Sequence, residues 1–480
     1  MRQTRREFFG TGLGICTQLA VRAMPNTELT VLTLSEASEG VRKKAISPVE
    51  LTKACLLRIE QLNPKLNAYI TVAGEQALER ARRAEAEPWS GPLHGIPIGI
   101  KDIFDTAGMR TTAASKLFKD RVPTVDAEVV RRLKTAGAVI LGKQNLAEFA
   151  CSGSGLVSHF GAVHNPWNLD YQSGGSSSGS AVATAAGLDF GSIGNDSGGS
   201  IRIPAAWCGV VGLKPTHGRV SLSGDLSCEW STTCVGPICR TVSDAALLLQ
   251  AIAGYDSADA MSQDELVPNY TEVLKTNTRP FRIGVPRTLF TRELDTEHEQ
   301  AFTEAMRVLR DRVADIREVE LPPVRFSIGI DTMAEFYREH ETYITKTPEL
   351  YQPQTRQTIE NAGRVTAAAY SRSQYEMACA RRAVVGVFSN IDLLVLPTML
   401  QPPQSIAEVP KKPRGLLNLR LVMPFDLYDL PAVTVPCGFT KAGFPIGLQI
   451  VGPRFGESKV LALAHTYEQS TAWHKRRPPV

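Results

Sequence analysis

The stretch DYQSGGSSSGSAVATAAGLDFGSIGNDSGGSIRIP, residues 170–204, constrains the fold of this chain more than any other. Two Ser/Gly clusters flank AVATAAGL, whose small side chains suit a helix packed closely against its neighbours, and FGSIG, which has the pattern of a short strand. Serine and glycine by themselves mark turns or flexible linkers. A flexible linker has no use for a close-packing helix and a strand between its halves, so the region is predicted to be a rigid part of a core.

Three chemistries compete for these clusters. A phosphate-cradling P-loop needs a lysine after its glycines, and no lysine occurs between Lys143 and Lys214. Gly175-Ser176-Ser177-Ser178-Gly179 fits the Gly-x-Ser-x-Gly elbow of α/β-hydrolases with Ser177 as nucleophile, but NPWNLDYQS before it reads as loop rather than buried strand. The third is acyl transfer, with Ser200 of NDSGGSIRIP as nucleophile. The backbone N–H groups of Ser197, Gly198, Gly199 and Ser200 then form an anion-holding nest, for which the two glycines supply conformational freedom and access.

A nucleophilic serine needs a base. His94, His164 and His217 stand in loop-like surroundings that suit structural histidines. GPLHGIPIGIKDIFDTAG, residues 91–108, offers a lysine instead. A strand over 95–103 places Ile96, Ile98 and Ile100 on one face and Gly95, Pro97, Gly99 and Lys101 on the other, leaving room beside the lysine. Burial disfavours the ammonium form and draws a lysine toward the pKa of a useful base.

Elsewhere the chain reads as helices alternating with strands. Ser47-Pro48-Val49-Glu50 starts a helical pattern running through 41–86, a helix over 126–136 leads into the strand 138–142, and EHEQAFTEAMRVLRDRV (297–313) is amphipathic. LPAVTVPCGFTKAGFPIGLQIVGP (430–453) reads as two strands turning at Lys441-Ala442-Gly443. With 43% hydrophobic and 21% charged residues over 480 positions, the composition is that of an ordinary globular chain, and residues 27–480 are expected to form a single domain. The polar, helix-rich segment 255–425 is expected to shape the substrate pocket.

Residues 1–23, with Arg5-Arg6, Phe8-Phe9 and Val-Arg-Ala at 21–23, resemble a twin-arginine export signal cut after Ala23, which places the protein in the periplasm. Loss of that segment removes four arginines and one glutamate and lowers the formal charge from +4 to +1, giving no electrostatic reason to expect nucleic acid. No later run is apolar and long enough to span a membrane. The nine cysteines show no Cys-x-x-Cys spacing; Cys228, Cys234 and Cys239 are close in sequence but read as buried thiols.

GIPIGIKD, GGSSSGSAVATAAGL and DSGGSIRIPAAWCGVVGLKPTHGRVS together resemble the amidase signature family, as do EFACSGSGLVSHFGAVHNPWN, CVGPICRTVSDAALLL and LPAVTVPCGF. The resemblance implies an α/β fold, a large twisted mixed β-sheet core surrounded by helices. It implies a Ser-Ser-Lys triad of Lys101, Ser176 after a cis peptide, and nucleophilic Ser200, with Asp196 and Arg202 supporting the loop. The implied activity is amide hydrolysis on a small-molecule amide, without metal or cofactor; a homo-oligomer is compatible with it. The alternative is the glutaminase component of a tRNA-dependent amidotransferase, although YQPQTRQTIENAG (351–363) does not resemble the glutamine-recognising region of those proteins. Ser178, Asn195, Ser197, Asp426 and Asp429 depart from the family pattern, which has glycine, threonine, threonine, asparagine and glycine there.

Overall fold

The computed structural model describes residues 29–227, 229–412 and 414–480. The segment expected to be an export signal, with its expected cleavage point, lies outside the described residues, as does Cys228. Cys234 and Cys239 are buried free thiols.

The strands, in chain order, are β1 (Tyr69–Val72), β2 (Pro97–Lys101), β3 (Val139–Gln144), β4 (His164–Asn165), β5 (Asn168–Gln172), β6 (Ser192–Asp196) and β7 (Val211–Lys214). They continue as β8 (Cys234–Cys239), β9 (Arg282–Val285), β10 (Asp315–Glu318), β11 (Leu393–Pro397), β12 (Ala432–Phe439) and β13 (Pro445–Val451). Eleven of these form one mixed sheet in the order β1-β3-β2-β6-β8-β7-β12-β13-β11-β9-β10; β4 and β5 pair separately. β2, β3, β6, β7 and β8 are buried at every residue, because helices cover both faces, and they read as apolar or glycine-rich rather than alternating.

Two expectations need correction. The 41–86 pattern is not continuous helix: Ser47 caps a helix at Pro48–Leu66 through a capping box with Glu50, Asn67 ends it in a left-handed conformation, and β1 intervenes before the helix Gly74–Ala86. The segment 255–425 also contributes β9, β10 and β11 to the main sheet, where β11 lies beside β13 and β9. Its short strands are separated by long helices, which hides their common sheet from a linear reading.

The AVATAAGL helix runs from Ser178 to Ala186 and is buried at every residue. It packs backbone to backbone: a Cβ at Gly179 would overlap the Ala68 carbonyl oxygen and stand 2.6 Å from the Asn145 backbone nitrogen. Gly187 ends the helix in the left-handed region, and the chain passes directly into β6 beside β2. Small residues therefore bring both Ser/Gly clusters to the end of the lysine strand. Gly179→Ala should destabilise the protein by roughly 1–3 kcal/mol in urea unfolding, although alanine is better by about 1 kcal/mol in a free helix. Unchanged or raised stability would show that the helix is not held at backbone contact.

Candidate active site

Lys101 ends β2 with no solvent exposure. Its Nζ lies 2.7 Å from Ser176 Oγ and 2.5 Å from Asn195 Oδ1. Burial pulls the Lys101 ammonium down to about 7, against the raising influence of Asp225, Asp196 and Glu229. The room the glycines leave beside the lysine is taken by a neighbouring side chain: a Cβ at Gly99 would overlap Gln144 Nε2.

Ser176 follows a cis peptide bond from Gly175 and is fully buried. The next residue, Ser177, donates its backbone N–H to the Ser200 carbonyl at 3.1 Å, which ties the two clusters together. The Ser177 hydroxyl donates to the Asn195 carbonyl at 3.1 Å and is buried, so the α/β-hydrolase elbow is excluded. Ser200 stands in the turn between β6 and the helix Arg202–Cys208 and lines a cavity of about 200 Å³.

Asp196 shapes the Ser200 turn. Its carboxylate accepts from the Gly199 N–H at 2.6 Å and the Ile201 N–H at 3.0 Å. Gly199 has φ of 112°, and a Cβ there would overlap Val422 Cγ2, so only glycine fits. This corrects one member of the expected nest, since the Gly199 N–H is taken by Asp196. Among the described residues, the N–H groups of Ser197, Gly198 and Ser200 have no acceptor.

Arg202 is fully buried. Its Nε and Nη2 donate to Asp196 at 3.0 and 2.9 Å, Nη2 also to Asp426 at 2.7 Å, and Nη1 to the Val422 carbonyl and Gln449, both at 2.9 Å. Burial alone would raise the Asp196 carboxyl; the Arg202 guanidinium outweighs it and holds the group well below the usual carboxylate range. Burial pushes Asp426 up to about 8, against the pull of Arg202 and with the push of Asp196. Burial thus favours the neutral form of the Asp426 carboxyl beside the charged Asp196, while Arg202 and the buried Lys214 pull the other way.

The cavity is lined by Ile203, Leu419, Met423 and Leu427 on its apolar side, and by Glu229, Thr232, Thr332 and Thr358 among its polar groups. Thr332 and Met333 come from the helix Phe326–Lys346 and Thr358 from Pro353–Ala362, so the middle region does contribute to it. Among the described residues lining it there is no lysine, arginine or histidine. Burial pushes the Glu229 carboxyl up to about 7; the Ser197 hydroxyl donates to it and works the other way, while Glu335 and Asp225 add to the rise. Asn195, Asp225, Glu229 and Asp426 were missed as site residues in the sequence. The only signal was that Asn195 and Asp426 break a familiar pattern.

His94 and His217 are buried, and these two and His164 each bond a backbone carbonyl, of Ala84, Trp230 and Leu169 respectively. Among the described residues, no group of three or more His, Cys, Asp or Glu side chains is arranged to hold a metal ion.

Residues 50–461 match the family model described as Amidase. The chain belongs to the amidase signature family. It is 38% identical to the A component of the glutamyl-tRNA(Gln) amidotransferase from Geotalea daltonii, over 94% of this chain and 99% of that one. A solved 6-aminohexanoate cyclic dimer hydrolase superposes with a TM-score of 0.86 at 29% identity, covering 94% and 99% of the two chains. The corresponding amidotransferase component of Thermotoga maritima superposes with a TM-score of 0.74 at 31% identity, covering 94% and 95%. As an amidase signature enzyme, the chain hydrolyses carbon–nitrogen amide bonds on a large mixed sheet surrounded by helices.

The raised Asp426 carboxyl can be tested by its effect on stability. Its folded pKa is raised, so between the unfolded value and about 8 the unfolded chain releases a proton that the folded chain retains, and stability falls as pH rises. Asp426→Asn removes that dependence. Relative to wild type, the variant should gain roughly 2–5 kcal/mol between pH 4 and 8 in denaturant unfolding. Parallel stability curves would show that Asp426 is ionised in the folded protein.

Proposed function

We propose that this chain hydrolyses a small carboxamide through an acyl-enzyme on Ser200, with Ser176 and Lys101 relaying the proton. The observation that carries this proposal is the 2.7 Å contact of a buried Lys101 Nζ with Ser176 Oγ, one residue before the N–H that holds the Ser200 carbonyl. Ser200 Oγ bonds to the amide carbon as the carbonyl π pair moves onto oxygen; the Ser200 proton passes to Ser176, and the Ser176 proton to Lys101. The N–H groups of Ser197, Gly198 and Ser200 hold the oxyanion. Returning the proton along the same path protonates the nitrogen as the C–N bond breaks. Water then attacks the ester by the same relay, releasing the acid and restoring Ser200. Asp196 and Arg202 hold the loop without touching substrate.

The pocket supports a compact acyl group. About 200 Å³ is below the roughly 300 Å³ at which drug-sized sites begin, and its walls are apolar on one side. A free amino acid amide such as glutamine brings an α-carboxylate, for which the lining offers no cation and Glu229 offers repulsion. A neutral aliphatic or aryl amide suits it better. Export to the periplasm, read from residues 1–23, and action without nucleic acid belong to the same proposal.

The second reading is the glutaminase component of an amidotransferase. The sequence relatives favour it: 38% identity over 94% of this chain to a component of a glutamyl-tRNA(Gln) amidotransferase is extensive. The two readings share the Ser200 chemistry and differ in substrate and company.

Ammonia release from short aliphatic amides, benzamide and L-glutamine separates them. The purified chain should hydrolyse the neutral amides and leave glutamine nearly untouched. Glutamine turnover that appears only with copurifying partner proteins would establish the second reading. Ser200→Ala should lose at least ~10³-fold in kcat/KM, and wild-type rates in that variant would sink the assignment. Activity should rise with pH through neutrality as Lys101 becomes neutral; a limb near the ordinary lysine value would show that its proton is not held loosely.

A further inference from the structure

Asn195 bridges Lys101 to a carboxylate that sequence reasoning did not connect with the site. Its Oδ1 lies 2.5 Å from Lys101 Nζ, and its Nδ2 donates to both Asp225 oxygens, at 3.1 and 2.8 Å. Asp225 reaches this place because its segment pairs with the residues just after Lys101. The Asp105 N–H donates to the Gly224 carbonyl at 2.9 Å and the Leu226 N–H to the Ile103 carbonyl at 3.1 Å, with Phe104 opposite Asp225. The Ser227 N–H donates to Asp225 Oδ1 at 2.8 Å and fixes the carboxylate further.

An asparagine side chain has a donor end and an acceptor end, and the two are sterically almost interchangeable. Burial raises the Asp225 carboxyl, while the Asn195 and Ser227 donors and Lys101 favour its charged form; with both of its oxygens accepting from Asn195 Nδ2 and Oδ1 also from the Ser227 N–H, Asp225 takes the NH₂ end and the Asn195 oxygen turns to Lys101. A neutral lysine amine has two N–H groups and one lone pair. With the Asn195 oxygen taking an N–H, the lone pair is left for the Ser176 hydroxyl proton. With the amide reversed, its NH₂ would donate to the lysine lone pair and compete with Ser176 for the position that accepts the proton. The correct orientation also places an acceptor against the ammonium once the proton has arrived.

We propose that Asp225, acting through Asn195, is a positioning residue that keeps the Lys101 lone pair directed at Ser176. This rests on Lys101 being the base. Asp196, Asp225 and Glu229 are the acids that act on Lys101, and each favours its ammonium form. Removing the Asp225 charge therefore lowers the lysine pKa and moves the acidic limb of activity to lower pH.

The experiment is a double-mutant cycle on amide hydrolysis with full pH profiles. Asp225→Asn should lower kcat roughly ten- to hundredfold with KM little changed, and shift the acidic limb down by about one pH unit. Asn195→Ala should do the same from the other end, and the double variant should lose no more than the worse single one, because both act through one bridge. Wild-type rate and limb in Asp225→Asn, or losses that multiply in the double variant, would overturn the proposal. Should Asp225→Asn fail to fold, as judged by circular dichroism, Asn195→Ala decides by the same split between kcat, KM and pH limb. Lys101→Ala separates the two levels: retained hydrolysis there removes the base itself, whereas lost hydrolysis with an unaltered Asp225→Asn removes only the bridge.

Discussion

An ammonium group removed from solvent is expensive, and Lys101 is fully buried. The surroundings compensate only in part. Ser176 and Asn195 offer oxygens within hydrogen-bonding distance, while Asp225, Asp196 and Glu229 supply negative potential without making a direct ion pair with the lysine. Direct pairing would fix the charge and keep the proton on nitrogen. A contrast lies nearby: the buried Lys143, which donates to Thr106 and Thr111 and has Asp102 at 3.8 Å, is also drawn down by burial, but only to about 8. The two lysines differ in that Lys101 faces a serine hydroxyl at the end of its strand, whereas Lys143 is enclosed by oxygens of the 104–111 turn.

Arg202 solves the complementary problem on the other side of the Ser200 turn. There the charge must stay put. Every donor of the guanidinium that forms a bond does so to a buried acceptor, and the lowered Asp196 carboxyl holds the Gly199 and Ile201 N–H groups in the same grip. Burial and the neighbouring Asp196 charge push Asp426 toward its neutral form, while Arg202 and the buried Lys214 favour its charge. A protonated aspartate presents the neutral shape that asparagine has in the family pattern. Asp429 makes a comparable substitution for glycine: its φ of 60° lies in the left-handed region, and its carboxylate accepts from the His217 N–H and from Arg454.

Much of the centre of the fold was legible because it is local. The caps at Ser47, the small-residue helix at 178–186 and the β12–β13 hairpin follow from neighbours in sequence, and the three triad positions stand in segments whose residue types are unusual together. What escaped was set by strand order. β6 sits between β2 and β8 although about ninety residues separate it from β2, and the segment holding Asp225 pairs beside Lys101 from still further along the chain. Neither neighbour has a periodicity that announces the other. Burial was equally invisible: Asp426 and Glu229 look like ordinary surface acids until the sheet and the middle helices close around them.

The same separation would let the proposed relay serve different amides. Lys101, Ser176, Asn195 and the Asp196–Arg202 turn all sit on β2, β6 and the short segments that adjoin them. Besides the Ser200 turn itself and residues 150–153, the cavity walls come from helices at 326–346 and 353–362 and from residues 419–427, which carry none of the turn's internal hydrogen bonds except the Val422 carbonyl and Asp426 carboxyl. A change from Thr358 to a cationic side chain would alter what acyl group is welcome while leaving the lysine, both serines and the turn in place. The residues proposed to move the proton are therefore held by the sheet, and those proposed to select the acyl group are held by elements that can vary without disturbing it. Glu229 is the exception that joins the two, since it lines the cavity and also contributes to the potential at Lys101. A substrate that neutralises or displaces the Glu229 charge would thus make the lysine a weaker base at the moment of binding, which couples the choice of acyl group to the readiness of the relay.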